Sequence, residues 1–246
     1  IREGKNISYP ELSYSLIPIP PLSEQTSIAN YLDEKTSQID HAIELKEKTI
    51  ALLKEHKQIM IQELVTGKVV IDNGEKIIDN GELKIDNARL KKRDEAEMKD
   101  SGVEWIGMVP KSWEVKRLKY IISEIQTGTT PAPSDSSFFE GDISWSTPKD
   151  LNNEKLSKSE KTVTEKALTS NEVKMFEKDS TLIVGIGATT GKTSYMPVYG
   201  TFNQQITGLH SKTNYNLYLT YLLRSLSGVM LKVANYTTLA ILNNEF

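Results

Sequence analysis

The chain contains no cysteine in 246 residues, which removes disulfides and thiolate metal sites from consideration. Histidine is almost as scarce. His41, His56 and His210 lie far apart in the sequence, so an imidazole-based metal site or catalytic triad is not expected. No apolar run approaches the roughly 18–20 residues that span a bilayer, and the start "IREGKNISYP" lacks the charged and apolar regions of a signal peptide. A cytoplasmic protein without a membrane partner is expected. An excess of one charge is also missing: the formal net charge is -3, with 16 Lys and Arg against 15 Asp and Glu from residue 99 onward and 14 against 18 before it. Charge alone therefore does not announce a nucleic-acid binder, although the second part suits that role better than the first. The acidic residues are scattered without a pair placed for general acid work, so no catalytic residue and no metal ligand is expected. The sequence begins at Ile1 rather than methionine, which reads as a piece of a longer chain.

What is present is organised. Pro10, Pro18, Pro20 and Pro21 break the first segment into an extended lead-in, and Ser23 followed by Glu24 reads as a helix N-cap with an acidic first turn. Residues 23–66 then contain neither glycine nor proline, and Gly67 follows as a stop. This predicts one helix of 44 residues, about 66 Å long at about 1.5 Å per residue. Its apolar positions Ile28, Leu32, Ile39, Ile43, Ile50, Leu53, Met60 and Leu64 nearly follow an eleven-residue period, which keeps them on one face. So long a stripe needs a second long helix, from the same chain or a partner; a dimerising coiled coil is the alternative.

Next, "IDNGEKIIDNGELKIDNARLKK" repeats Ile-Asp-Asn at residues 71, 78 and 85. Asn-Gly at 73–74 and at 80–81 favours turns of positive φ, so a linker or a small set of hairpins is predicted rather than more helix. A change in copy number of such a repeat could alter the distance between the flanking parts.

From residue 99 on, "DISWST", "STLIVGIGA" and "QQITGLHS" read as strands, "WEVKRLKYIISEI" as an amphipathic segment of helical or mixed spacing, and "NLYLTYLLRSLSGVMLKVA" as a helix of about five turns. Strands and helices without regular alternation predict an α+β domain. Trp105 and Trp113 are expected as core anchors, and Lys116, Arg117 and Lys119 as a basic cluster, either a solvated face or a DNA clamp. "GATTGKT", residues 187–193, has the flavour of a phosphate-binding loop, but the spacing fails: five positions before Gly191 stands Ile186, not glycine.

Two blocks carry a family resemblance. "IPIPPLSEQTSIANYLDEKTSQID" running into "QELVTGKV" resembles the conserved helical region of the specificity subunit of type I restriction-modification enzymes, and "KDSGVEWIGMVPKSWEVKRLKY" is similar to the opening of a target recognition domain in that family. The blocks "TGTTP", "GDISWSTPKDL", "VGIGATTGKTSYMP", "FNQQITGL" and "YTTLAILNNEF" keep the order of that domain. The resemblance implies residues 1–21 as the tail of a preceding recognition domain, 22–67 as a long spacer helix, 68–98 as a repeat-bearing linker, and 99–246 as a recognition domain lacking its own following helix. The spacer would pair as an antiparallel coiled coil. A full member holds two recognition domains, so the chain is expected to be part of a full subunit, a half-sized subunit that homodimerises, or a permuted form.

The implied function is non-catalytic recognition of a bipartite site in double-stranded DNA, directing methyltransferase subunits that methylate adenine N6 and restriction subunits that translocate and cleave. S-adenosylmethionine, ATP and magnesium then belong to those partners, and no cofactor to this chain. Candidate DNA contacts are Thr129 and Thr130; Ser146, Thr147 and Lys149; Thr189, Thr190 and Lys192; and Asn203, Gln204 and Gln205. Hydroxyls and lysines serve phosphates, while amides can pair with adenine N6 and N7. On a strand Asn203 and Gln205 would share one face, with Gln204 on the other. A nucleotide-binding enzyme built on residues 187–193 and a coiled-coil scaffold without a DNA role are the alternatives.

Overall fold

The computed structural model describes residues 12–246 except 73–74, 80–81, 87–88, 157, 234, 237–239 and 242–246. The chain divides into two units, Ile1–His56 and Lys57–Phe246. The elements are α1 (Leu22–Val65); β1 (Val69–Asp72), β2 (Glu75–Asp79), β3 (Glu82–Asp86) and β4 (Arg89–Lys92); β5 (Met98–Asp100), β6 (Met108–Pro110), β7 (Glu124–Thr127), β8 (Phe139–Ser146) and β9 (Lys161–Val163); α2 (Glu165–Thr169); β10 (Ser180–Val184), β11 (Thr193–Met196), β12 (Thr201–Phe202) and β13 (Ile206–His210); then α3 (Asn216–Ser225), α4 (Ser227–Val233), β14 (Asn235–Tyr236) and β15 (Ala240–Ile241).

α1 has the predicted 44 residues, but its entry differs from expectation. The Pro21 carbonyl accepts from the Glu24 and Gln25 amides at 2.9 and 3.0 Å, and the Gln25 side chain donates to the Pro20 carbonyl at 2.7 Å. Ser23 therefore lies inside the first turn and does not cap it; the proline pair and Gln25 set the start. Ile28, Leu32, Ile39, Ile43, Ile50 and Leu53 are each 44–61% exposed, and the helix buries only Ile61 and Val65, both in its last turns. Among the described residues no second helix covers that stripe, so the expected antiparallel pairing is not observed.

The helix ends where the sequence predicts. Gly67 takes φ +71°, its amide donates to the Leu64 carbonyl at 3.1 Å, and the Lys68 amide donates to the Glu63 carbonyl at 2.9 Å. These two bonds form a Schellman stop, which only glycine adopts without strain. A Cβ at Gly67 would stand 2.5 Å from Pro110 Cγ and 3.1 Å from the Trp113 ring, so the stop is also packed. Arg93 closes it from the other side, Nε donating to the Gly67 carbonyl at 3.1 Å and its amide to the Lys68 carbonyl at 2.8 Å. Further back along α1, Lys57 Nζ donates to Glu154, which also lies 3.6 Å from an Arg224 nitrogen.

The repeat forms paired strands: β1 with β4 and β2 with β3, all antiparallel. The predicted turns at Asn73-Gly74 and Asn80-Gly81 lie outside the described residues.

The remaining domain is built on two sheets. One is antiparallel, in the order β11-β10-β13-β7; the other has the order β12-β8-β9, with β12 parallel to β8. β10 is buried at every residue because both its faces are covered. Leu182 and Val184 join Leu151, Leu156, Phe176, Met196, Phe202 and Ile206 in one cluster, while Ile183 meets Leu209 and Leu223 of α3 in another. Such two-sided burial explains why "STLIV" reads as an unbroken apolar run rather than an alternation. A third cluster gathers Phe138, Trp145, Val163, Ala167 and Val173 under β8 and α2.

Three local expectations need correction. The segment "WEVKRLKYIISEI" makes no helix beyond a single turn at Leu118–Tyr120; its end becomes β7, recruited as an edge partner of β13. The C-terminal apolar helix breaks at Leu226 into α3 and α4. Trp105 is 44% exposed and Trp113 only half-buried, whereas the core tryptophan is Trp145, 5% exposed. Indole spacing alone could not tell them apart; Trp145 is buried because it sits on a strand between Phe138 and Val163.

Two measurements check these contacts. Gly67→Ala combines positive-φ strain with overpacking on Pro110 and is expected to cost about 1–3 kcal/mol, read from urea unfolding. Hydrogen bonding from Lys57, with the Arg224 charge, holds the Glu154 carboxyl below its ordinary value of 4.5. Its contribution is fully present above that value and lost as pH falls through the lowered one. Glu154→Gln is therefore expected to lower Tm at neutral pH and to flatten the fall of Tm at acid pH.

Candidate nucleic-acid interface

β7, β8, β10 and β12 all finish, and β11 and β13 begin, at one end of the two sheets, so the loops at residues 128–130, 147–153, 185–192 and 203–205 meet there. Backbone bonds lock them together. The Thr129 amide donates to the Phe202 carbonyl at 3.0 Å, the Gly128 amide to Ile206 at 3.0 Å, the Asn203 amide to Ser146 at 3.0 Å, and the Gly185 amide to Gln205 at 2.8 Å. A Cβ at residue 128 would stand 2.1 Å from the Phe202 carbonyl oxygen, so glycine is what permits the closest of these approaches. The eleven residues singled out in the sequence are thus brought to one place.

They do not play one role. Ser146, Thr190 and Asn203 are buried. The Ser146 hydroxyl has no hydrogen-bond partner in this structure, and Thr190 Oγ1 donates to the Gly187 carbonyl at 2.7 Å. Asn203 Nδ2 donates to Gln205 Oε1 at 3.1 Å, while its Oδ1 accepts from the Gln205 amide at 3.2 Å. Residues 203–206 close a turn, the Ile206 amide donating to the Asn203 carbonyl at 3.0 Å. Residues 203–205 are therefore a turn and not a strand: Asn203 and Gln205 bond to each other, while Gln204 is exposed.

Thr129 and Thr147 are half-buried and organise backbone. Thr129 Oγ1 donates to the Glu172 carbonyl at 2.6 Å, and its carbonyl accepts from the Trp145 indole at 3.0 Å. Thr147 gives both its amide and its hydroxyl to Asp150, at 2.7 and 2.9 Å. Gln205 is half-buried and donates to the Ile186 carbonyl at 3.3 Å. Thr130, Lys149, Thr189 and Gln204 are exposed. Thr130 donates to Gln204 Oε1, which leaves the Gln204 amide group outward. Lys192, half-buried, donates to Asn152 Oδ1 at 2.8 Å, and Asn152 in turn donates to the Lys149 carbonyl at 2.5 Å. Asp150 and Asn152 were missed in the sequence; the signal was the "PKDLNN" string, whose short polar side chains suit loop scaffolding.

Residues 187–193 lie in the hairpin between β10 and β11, with Gly187 and Gly191 at φ +114° and +86°. The Thr190, Gly191 and Lys192 amides donate to the Gly187, Val184 and Thr189 carbonyls. A phosphate-binding loop needs such amides free and a helix to follow; here they are engaged and a strand follows. Lys116, Arg117 and Lys119 are exposed on extended backbone and a single turn, not on a helix. His41 is exposed; Ser180 Oγ lies 3.1 Å from His210 Nδ1. Among the described residues no acid or histidine cluster could hold a metal, and no helix is long and apolar enough to cross a membrane.

The architecture is therefore a mixed α/β domain that presents a rigid, polar four-loop rim. The chain belongs to the type I restriction modification DNA specificity domain family, whose description matches residues 110–246. It is similar to the type I restriction enzyme MjaIX specificity subunit of Methanocaldococcus jannaschii, 38% identical over 96 residues, 38% of this chain and 21% of that subunit. In fold it resembles a chain solved in work on complex assembly and conformational transition of the type I R-M system, with TM-score 0.50 and 14% identity over 96% of this chain and 48% of that one. The HsdS subunit from Thermoanaerobacter tengcongensis aligns with TM-score 0.44 and 15% identity, over 98% of this chain and 50% of that subunit. The chain thus spans about half the length of these solved relatives and a fifth of the archaeal one.

Removing the Gln205 side chain should loosen the rim before it unfolds the domain. Gln205→Ala is expected to cost about 1–2 kcal/mol from its lost bonds and to raise amide exchange across residues 185–192 while β13 keeps its protection.

Proposed function

We propose that this chain reads DNA sequence for a type I restriction-modification complex, with the four-loop rim facing double-stranded DNA. The observation that carries the reading is the convergence, within a specificity-family domain, of exposed Thr130, Lys149, Thr189 and Gln204 with half-buried Lys192 and Gln205 on a scaffold in which Thr129, Thr147, Thr190 and Asn203 are engaged in internal hydrogen bonds. A rigid frame with a few outward donors suits base reading, which depends on fixed geometry. Lys149 and Lys192 would position phosphates; Gln204 and Gln205 would address base edges. The exposed stripe Ile28, Leu32, Ile39, Ile43, Ile50 and Leu53, continued by Met60 and Leu64, would pair with a second long helix to form the coiled-coil spacer of a bipartite reader. That spacer would dock methyltransferase subunits, and restriction subunits through them, with S-adenosylmethionine, ATP and magnesium held by those partners.

The nucleotide-binding alternative loses its main support, because the amides of residues 190–192 are engaged and the loop belongs to a β-hairpin. A scaffold without a DNA role leaves the polar rim without a purpose.

The test is the methylated motif produced with the neighbouring methyltransferase subunit in a methylation-free host. Gln204→Ala is expected to relax preference at one position of one half-site by about 1–3 kcal/mol of discrimination. Lys149→Ala should weaken binding evenly across sequences and reduce the magnitude of the salt slope by about 1. Unchanged motif and unchanged salt slope in both variants would falsify the assignment of this rim. With near-neutral charge, the chain alone is expected to bind DNA weakly, because partner subunits would supply part of the phosphate clamp.

A further inference from the structure

The repeat block holds an arrangement that the DNA-reading proposal does not use. Val69 to Asp72 pair with Lys92 to Arg89, and Glu75 to Asp79 pair with Asp86 to Glu82. The two ladders share one register, each residue facing the one that mirrors it across a single axis between positions 80 and 81. A single hairpin about that axis would have arms of eleven positions, about 36 Å long at about 3.3 Å per residue. Its base is fixed from both sides. Lys68, which precedes the first arm, accepts from the amide of Arg93, which follows the second, and the Arg93 side chain caps the Gly67 carbonyl. The chain leaves the helix end at residue 69 and returns beside it at residue 92, at the spacing of neighbouring strands, about 5 Å. Stretched out, each seven-residue copy could add about 23 Å between the flanking parts. In the hairpin it adds nothing there; it lengthens the ribbon.

The seven-residue period carries a second consequence. With three copies, at 71–77, 78–84 and 85–91, the axis falls on Asn80-Gly81, the dipeptide that two-residue hairpin loops favour. Remove two copies, residues 78–91, and the axis that pairs Val69 with Lys92 falls on Asn73-Gly74, again Asn-Gly. Remove one copy, residues 78–84, and the axis falls on Ile77, between Lys76 and Ile85, where no turn residue stands. An odd period in a two-fold ladder restores the turn only in steps of two copies.

We propose that residues 69–92 form a closed β-ribbon whose copy number is uncoupled from the separation of the helix end and the recognition domain, and which closes on an Asn-Gly turn only with an odd number of copies. The absence of native cysteine makes the first test clean: Val69→Cys with Lys92→Cys places two thiols on directly facing positions of the whole chain. Oxidation is expected to join them at similar yield in chains of three copies and of one. In the two-copy chain the yield should fall several-fold, and amide protection along the remaining arms at least tenfold. No crosslink with three copies, or equal yield and protection with two, overturns the ribbon or its parity respectively.

The spacing arm rests on the DNA reading proposed above. Chains of three copies and one, each with the methyltransferase subunit, are expected to methylate motifs with the same gap between half-sites; a gap that shifts with copy number overturns the uncoupling. Should the unaltered chain produce no motif, the DNA reading fails, and crosslinking at 69 and 92 still decides whether copy number moves the two ends apart.

Discussion

The Schellman stop at Gly67 is the constraint on which the second unit is arranged. One residue of positive φ ends the helix, and the carbonyls and amides it releases are taken up at once by Arg93, Lys68 and Glu63. Because the glycine has no Cβ, Pro110 and Trp113 can lie directly on it. Tyr218 on α3 donates to the Val65 carbonyl at 3.4 Å, tying the same helix end to the sheet's covering helix. The repeat ribbon, the β5–β6 hairpin that carries Pro110, and α3 all reference one turn of backbone.

The loop rim rests on a different economy of groups. Many of its amides and the buried Thr190 and Asn203 side chains are bonded within the loops, so few of those atoms remain to be ordered when a ligand arrives, and the entropic cost of immobilising them is already met in folding. This division explains why buried Thr190 and Asn203 sit beside exposed Thr189 and Gln204. Neighbours in sequence alternate between holding the loop and facing outward. It also bears on the alternative reading of residues 187–193. A loop whose amides close its own turn cannot also wrap a phosphate, and the glycines that suggested a nucleotide site are there to reverse the chain between two strands.

Much of this was legible in the sequence. The 44-residue helix followed from an absence of glycine and proline and a stop at Gly67; the strands at residues 180–184 and 206–210 followed from apolar runs bounded by glycine; and the family followed from ordered blocks. The failures share a cause. Ser23 had the right side chain for a cap, but Pro20, Pro21 and Gln25 made the competing bonds. Trp105 and Trp145 are equally large, and only strand pairing decides which is buried. Residues 113–125 had mixed periodicity, and the free edge of β13 drew the end of the segment into a sheet. In each case a contact distant in sequence overrode a local preference. The side-chain roles in the rim were illegible for the same reason, since burial of Ser146 or Asn203 depends on loops more than fifty residues away meeting at one sheet end.

The repeat shows how periodicity and register together say more than either alone. Sequence alone marks a seven-residue unit, for which spacing and tethering are the natural readings. Register alone marks a hairpin of ordinary kind. Combined, they carry the proposed ribbon, whose two ends stay together whatever its length and whose turn chemistry survives only paired additions. The Arg93 contacts at the base make this a property of the whole segment rather than of its tip, because the ends are held by groups outside the repeat. Any length variation in the block is therefore directed outward along the ribbon, away from the geometry that joins the helix end to the domain's first hairpin.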